Sequence, residues 1–173
     1  MKWTLRIPRV LHDEIRLDLA RRHAFAAERV GFLLTKLGNR ESQVEQVVLA
    51  SGYWPVPDGA YIDDPSVGAR YEASVHRGLF ERAIVENVGV FHVHVHEHRG
   101  CPGFSGVDVD CIRKLVPSLR TVQPGQAHGG LLLSMDAMTA ACWLPAATAP
   151  LPGRIVVVGR PFAVFDVEVN HAR

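Results

Sequence analysis

Residues 88–110 read VGVFHVHVHEHRGCPGFSGVDVD, and this stretch decides how the rest of the chain is read. Side chains of an extended segment alternate between its two faces, so in extended form His92, His94, His96 and His98 project to one side, and a strand is expected over Val88 to His96. After a short loop, Ser105-Gly106-Val107-Asp108 has the spacing of a helix start, with Ser105 as N-cap and Asp108 in the first turn. Taken singly, the histidines suit a polar strand face and the Ser-x-x-Asp suits an ordinary cap. Taken together they suit a metal, because each imidazole on a buried face would otherwise need its own hydrogen-bond partner. Two of the histidines with Asp108 as third ligand leave one tetrahedral position open for water, the catalytic rather than the structural pattern for zinc. Cys101 in the same loop is a poorer candidate, since a fourth protein ligand would close the site.

Upstream of the histidines, Glu72 to Glu86 carries Val75, Leu79 and Ala83 on one face, which predicts an amphipathic helix packed on a sheet. Pro55 to Arg70 is a long loop rich in proline, glycine and aspartate, and loops of that length are often functional. Val30 to Leu37 reads as a buried strand ended by Gly38-Asn39, with Val44 to Tyr53 as its hairpin partner across the polar segment 38–43. Trp3 to Ile7 predicts a short strand, and Pro8 opens a helix to about Ala27 with Leu11, Ile15 and Leu19 at i, i+4, i+8. That helix would deliver Glu28 to the entrance of the next strand. Downstream, a helix runs from Ser105 to about Leu119, bent or ended near Pro117, and Gly130 to Ser134 is an internal strand. Ile155 to Val158 and Phe162 to Val167 form a terminal hairpin around Gly159-Arg160-Pro161. The expected fold class is α/β, a mixed, partly curled sheet flanked by helices.

A chain of 173 residues with 47% hydrophobic content can bury one core, so a single domain over 1–173 is expected. Lysine and arginine number 19 against 18 acidic residues, a formal charge of +1 that leaves no electrostatic footprint for nucleic acid or an acidic membrane. Cys101, Cys111 and Cys142 are odd in number and lack Cys-x-x-Cys spacing, so reduced thiols and a cytoplasmic location are expected. The N-terminus has no apolar signal core. Pro145, Pro150 and Pro152 interrupt the uncharged stretch between Asp136 and Arg154 and argue against a spanning helix.

The histidine stretch resembles the JAMM signature of the JAB/MPN metalloproteases, a His-x-His followed a short loop later by Ser-x-x-Asp. The signature's remaining element, a glutamate before a Gly-hydrophobic-hydrophobic run, is matched by Glu28-Arg29-Val30-Gly31-Phe32-Leu33-Leu34. Val88-Gly89-Val90-Phe91 is similar to the family's lead-in, and the resemblance spans about residues 8 to 140. The loop departs from the pattern. Eight residues, Glu97 to Phe104, separate His96 from the serine, one more than typical members have, and ten separate His94 from it. Counting from Gly89 instead points to His92 and His94. The reading adopted pairs His94 with His96, because Val93 and Val95 carry the strand past His94 and a one-residue insertion is the smaller change. His92 is then a deeper strand residue and the alternative ligand to His96.

The resemblance implies a JAB/MPN fold, related to that of cytidine deaminases, and a zinc ion on His94, His96 and Asp108. Zinc so held brings the pKa of a bound water toward about 7. Glu28 would act as general base and Ser105 as an oxyanion donor. The implied substrate is a ubiquitin-like protein, cleaved from a lysine or from its own extension. Implied partners are activating and conjugating enzymes of a bacterial, antiphage-type conjugation pathway. Maturation of a sulfur-carrier protein, a different zinc hydrolase and a metal-free MPN scaffold are the alternatives. Loop 55–70 and the loop after His96 are candidates for holding the substrate tail, by strand addition.

Overall fold

The computed structural model describes residues 1–38 and 45–168. Along the described residues the elements are β1 (Lys2–Pro8), α1 (Arg9–Leu19), β2 (Val30–Leu37), β3 (Glu45–Pro55), a 3-10 turn (Asp58–Ala60), α2 (Ala73–Glu86), β4 (Gly89–Val95), α3 (Gly106–Val122), β5 (His128–Leu133), β6 (Met138–Trp143), β7 (Gly153–Val158) and β8 (Ala163–Val167). One mixed sheet joins the strands in the order β6-β5-β4-β2-β3-β1-β7-β8. Its pairs β1–β3, β1–β7 and β4–β5 are parallel, and the others antiparallel. The edge strands β6 and β8 come back into contact, so the sheet is nearly closed. The expected mixed α/β architecture with a curled sheet is what the chain adopts.

The core follows from strands that are apolar on both faces. On β4, Phe91 and Val93 pack with Trp3, Leu5 and Leu33 beneath Ile15 and Leu19 of α1. On the opposite face Val90 packs with Phe32, Leu79, Leu115 and Leu119 beneath α2 and α3. His92 and His94 share the Val90 face by strand alternation and are buried. The β4–α3–β5 crossover supplies the parallel pair. None of the described helices is long and apolar enough to cross a membrane.

Several expectations need correction. The first helix ends at Leu19 rather than about Ala27. The apolar stripe Leu11, Ile15, Leu19 would place the polar His23 next. Instead the His23 ring accepts from Ala26 N–H at 3.2 Å and turns the chain. Uncharged residues 138–143 form a strand, β6, that the sequence did not reveal. Its buried positions are Met138, Ala140 and Cys142, and alanine carries little of the β-branched signal. The helix after Ser105 continues through Pro117 to Val122. Pro117 is exposed, so the Arg113 carbonyl it leaves unpaired can be hydrated. Of the hairpin partner expected over Val44 to Tyr53, β3 covers Glu45–Pro55. Asn39 and Val44 lie outside the described residues.

Candidate metal centre at the carboxyl end of β4

The site is assembled from three segments distant in sequence. Antiparallel pairing sets Val30 opposite His94 and Phe32 opposite His92. Continued by two residues, that register puts Glu28, just before β2, opposite His96. The Tyr61 hydroxyl accepts from Val30 N–H at 2.8 Å, and Glu28 N–H donates to the Gly68 carbonyl at 3.0 Å, so loop 55–70 clamps the entry of β2. A Cβ at Gly68 would lie 2.9 Å from Glu28 Oε2 and 3.0 Å from its Cδ. Any larger residue there would displace the carboxylate.

The third segment is the start of α3. Ser105 Oγ accepts from Asp108 N–H at 3.2 Å, and Asp108 Oδ2 accepts from Ser105 N–H at 2.7 Å, a reciprocal capping box. The cap also aims the carboxylate, because Asp108 Oδ1 lies 3.0 Å from His94 Nε2 and Oδ2 lies 3.5 Å from His96 Nε2. Donor atoms of Glu28, His94 and His96 lie within 4.8 Å of one another, the one such cluster of at least three possible ligands among the described residues.

Burial alone would raise the Asp108 carboxyl, but the His94 ring and the Ser105 N–H and hydroxyl outweigh it and hold it far below the usual carboxylate range. It is therefore ionised. Burial pushes His92 down to about 3, helped by the neighbouring His94, so that ring is neutral. His94 is 1% exposed, and neither of its ring nitrogens makes a hydrogen bond. The 3.0 Å approach of Asp108 has the distance of an ion pair without the alignment of an N–H···O bond. A buried imidazole with both nitrogens idle is costly in a folded protein, and a metal ion would engage one of the two. Two imidazoles with carboxylates on hand fit zinc. The same donors suit other first-row divalent ions.

The structure thus gathers Glu28, His94 and His96 in one cluster, sets Asp108, which is not part of it, against the two rings, and leaves other candidates aside. His92 packs against Phe32, ring centroids 5.8 Å apart, and is not in the ligand cluster. His98 does not continue the alternation: β4 ends at Val95, and the exposed His98 ring turns to the Arg99 carbonyl at 2.9 Å. Cys101 is exposed and outside the cluster. Ser105 is the helix cap: its Oγ accepts from Asp108 N–H, and its hydroxyl also stabilises the Asp108 carboxylate. Sequence reasoning missed Gly68, whose only signal was a glycine in a long loop. A largely apolar groove of about 520 Å³ is lined by Phe104, Val109, Ile112, Trp143 and Pro150, with Arg113 and Glu168 also in its wall. No family model matches the chain, and neither does any curated protein.

Proposed function

We propose that this chain is a zinc-dependent hydrolase of amide bonds with the JAB/MPN fold, acting in the manner of JAMM proteases on a ubiquitin-like protein. The observation that carries the reading is the convergence of Glu28, His94, His96 and Asp108 at one end of β4, with the buried His94 nitrogens unengaged.

His94, His96 and Asp108 would hold the ion, the ionised Asp108 balancing part of its charge. When bound, zinc supplies Lewis acidity that makes water a nucleophile near neutral pH. Glu28 accepts the proton of the attacking water and returns it to the leaving amine, a role for a half-buried carboxylate held in place by Gly68. The Ser105 hydroxyl donates to the oxygen that gains charge in the transition state. The choice of a ubiquitin-like substrate, with activating and conjugating enzymes as partners in a cytoplasmic bacterial pathway, is supported by the motif resemblance. The groove beyond Phe104 is of a kind that accepts an extended apolar tail.

The test is cleavage of a reporter fused behind a ubiquitin-like protein, with mass spectrometry locating the cut. Zinc-loaded protein should cut directly after the ubiquitin-like tail, and a strong chelator should stop it. Glu28→Gln should lower the rate by about 10²–10⁴-fold while zinc content is retained. Cleavage of unrelated peptides with the fusions left intact would reject the ubiquitin-like substrate and keep the metal chemistry. Loss of zinc in Glu28→Gln would make Glu28 a ligand instead of a base.

A further inference from the structure

His96 lies just past β4 and Asp108 in the first turn of α3, with a loop without regular structure between them, so what grips that loop bears on their spacing. The grip comes from the end of β5 and the four-residue turn that joins it to β6. His96 N–H donates to the Leu133 carbonyl at 2.9 Å, and Met135 N–H donates to the His98 carbonyl at 2.8 Å. Gly100 is held on both sides: Ser134 Oγ donates to its carbonyl at 2.7 Å, and its N–H donates to Asp136 Oδ1 at 2.7 Å. Ser134 is fully buried. Its carbonyl in turn accepts from Arg16 Nη1 at 2.8 Å, which anchors the turn to α1. Gly100 has φ +88°, a conformation L side chains rarely adopt, and the space where a Cβ would go is open.

We propose that Ser134 and Asp136 are positioning residues of the metal centre, which by fixing Gly100 set the spacing of His96 and Asp108 and hence the metal affinity, without touching the ion. This rests on reading the cluster as a metal site. Asp136 is the residue to vary, because its side chain is 44% exposed and its loss should leave the fold intact. Asp136→Asn keeps an oxygen to accept from Gly100 N–H, whereas Asp136→Ala does not. Both remove the surface contact to Arg99 at 3.8 Å, so the pair isolates the side-chain oxygen that accepts from Gly100 N–H at 2.7 Å and from Ser134 Oγ at 3.4 Å.

The experiment is competition of Zn²⁺ against a chromophoric chelator, with visible absorption of the Co²⁺-loaded proteins and thermal unfolding of the metal-free ones. Asp136→Ala should weaken Zn²⁺ by about 10-fold or more and alter the Co²⁺ spectrum, with the metal-free midpoint nearly unchanged. Asp136→Asn should restore both affinity and spectrum. Gly100→Ala, which meets no clash and changes only the backbone preference, should weaken Zn²⁺ as Asp136→Ala does. The proposal is overturned if both variants bind Zn²⁺ like the parent, or if Asp136→Asn is as weak as Asp136→Ala. A parent protein that binds no Zn²⁺ overturns the metal-centre reading itself, and this proposal with it.

Discussion

At one end of the paired strands β4 and β5, His128 is fully buried with both ring nitrogens engaged: Nδ1 accepts from Val90 N–H at 3.2 Å, and Nε2 faces the Gln123 carbonyl at 2.9 Å. At the other end His94 is equally buried, yet neither of its nitrogens has a hydrogen bond, and an ionised carboxylate stands 3.0 Å away. Burial therefore does not separate a histidine bound up in the fold from one left free to ligate. What separates them is whether the backbone has already used the ring. His128 is consumed by its own surroundings, while His94 keeps its binding capacity at the carboxyl end of a parallel strand pair, where α/β sheets commonly place ligands.

The contrast breaks most sharply through metal content. His94→Ala should leave the purified protein almost without zinc, against about one ion per chain in the parent, and Asp108→Ala should do the same. His92→Ala should keep its zinc, because that ring lies against Phe32 outside the cluster. Elemental analysis of protein prepared without chelators decides it. Zinc lost from His92→Ala and kept by His96→Ala would transfer the ligand role from His96 to His92.

His128→Ala should do the reverse. It strands the Val90 N–H and the Gln123 carbonyl and opens a cavity, so stability should fall by about 2–3 kcal/mol, read by urea unfolding, with zinc stoichiometry unchanged. A large loss of zinc with no loss of stability would mean that the two ends of the strand pair are not separable in this way.

The smallest effect expected is on pH dependence. Burial lowers the pKa of His128, and it lowers His12 as well, where Arg16 and Arg9 add to burial and Asp13 opposes it. Below about pH 6.5 the unfolded chain takes up protons that these two rings refuse in the folded protein, so stability of the metal-free protein falls as pH drops. Each ring contributes at most about 1.4 kcal/mol per pH unit to that slope. Unfolding midpoints of parent and His128→Gln between pH 7.5 and 5.5 test this, since the variant should show the shallower slope. Equal slopes would remove His128 as a source.

Much of the fold was legible in local pattern. Val75, Leu79 and Ala83 mark α2, the apolar run Val30 to Leu37 marks β2, and the Ser105 cap marks the start of α3, all of which the structure bears out in place. The end of α1 and the strand β6 were not legible, because one depends on a side chain of His23 catching the backbone and the other on sheet neighbours that shelter an alanine-rich run.

The site divides along the same line. Strand alternation by itself puts His92, His94 and His96 on one face, and the Ser-x-x-Asp spacing by itself builds the cap that aims Asp108. Periodicity treats the three rings as equivalent, so it could not say which would meet the carboxylate. That was decided by where α3 docks on the sheet, by the β2–β4 register that carries Glu28 to His96, and by Gly68 closing over Glu28. Each of these is a long-range packing relation, and no local spacing in the chain encodes it.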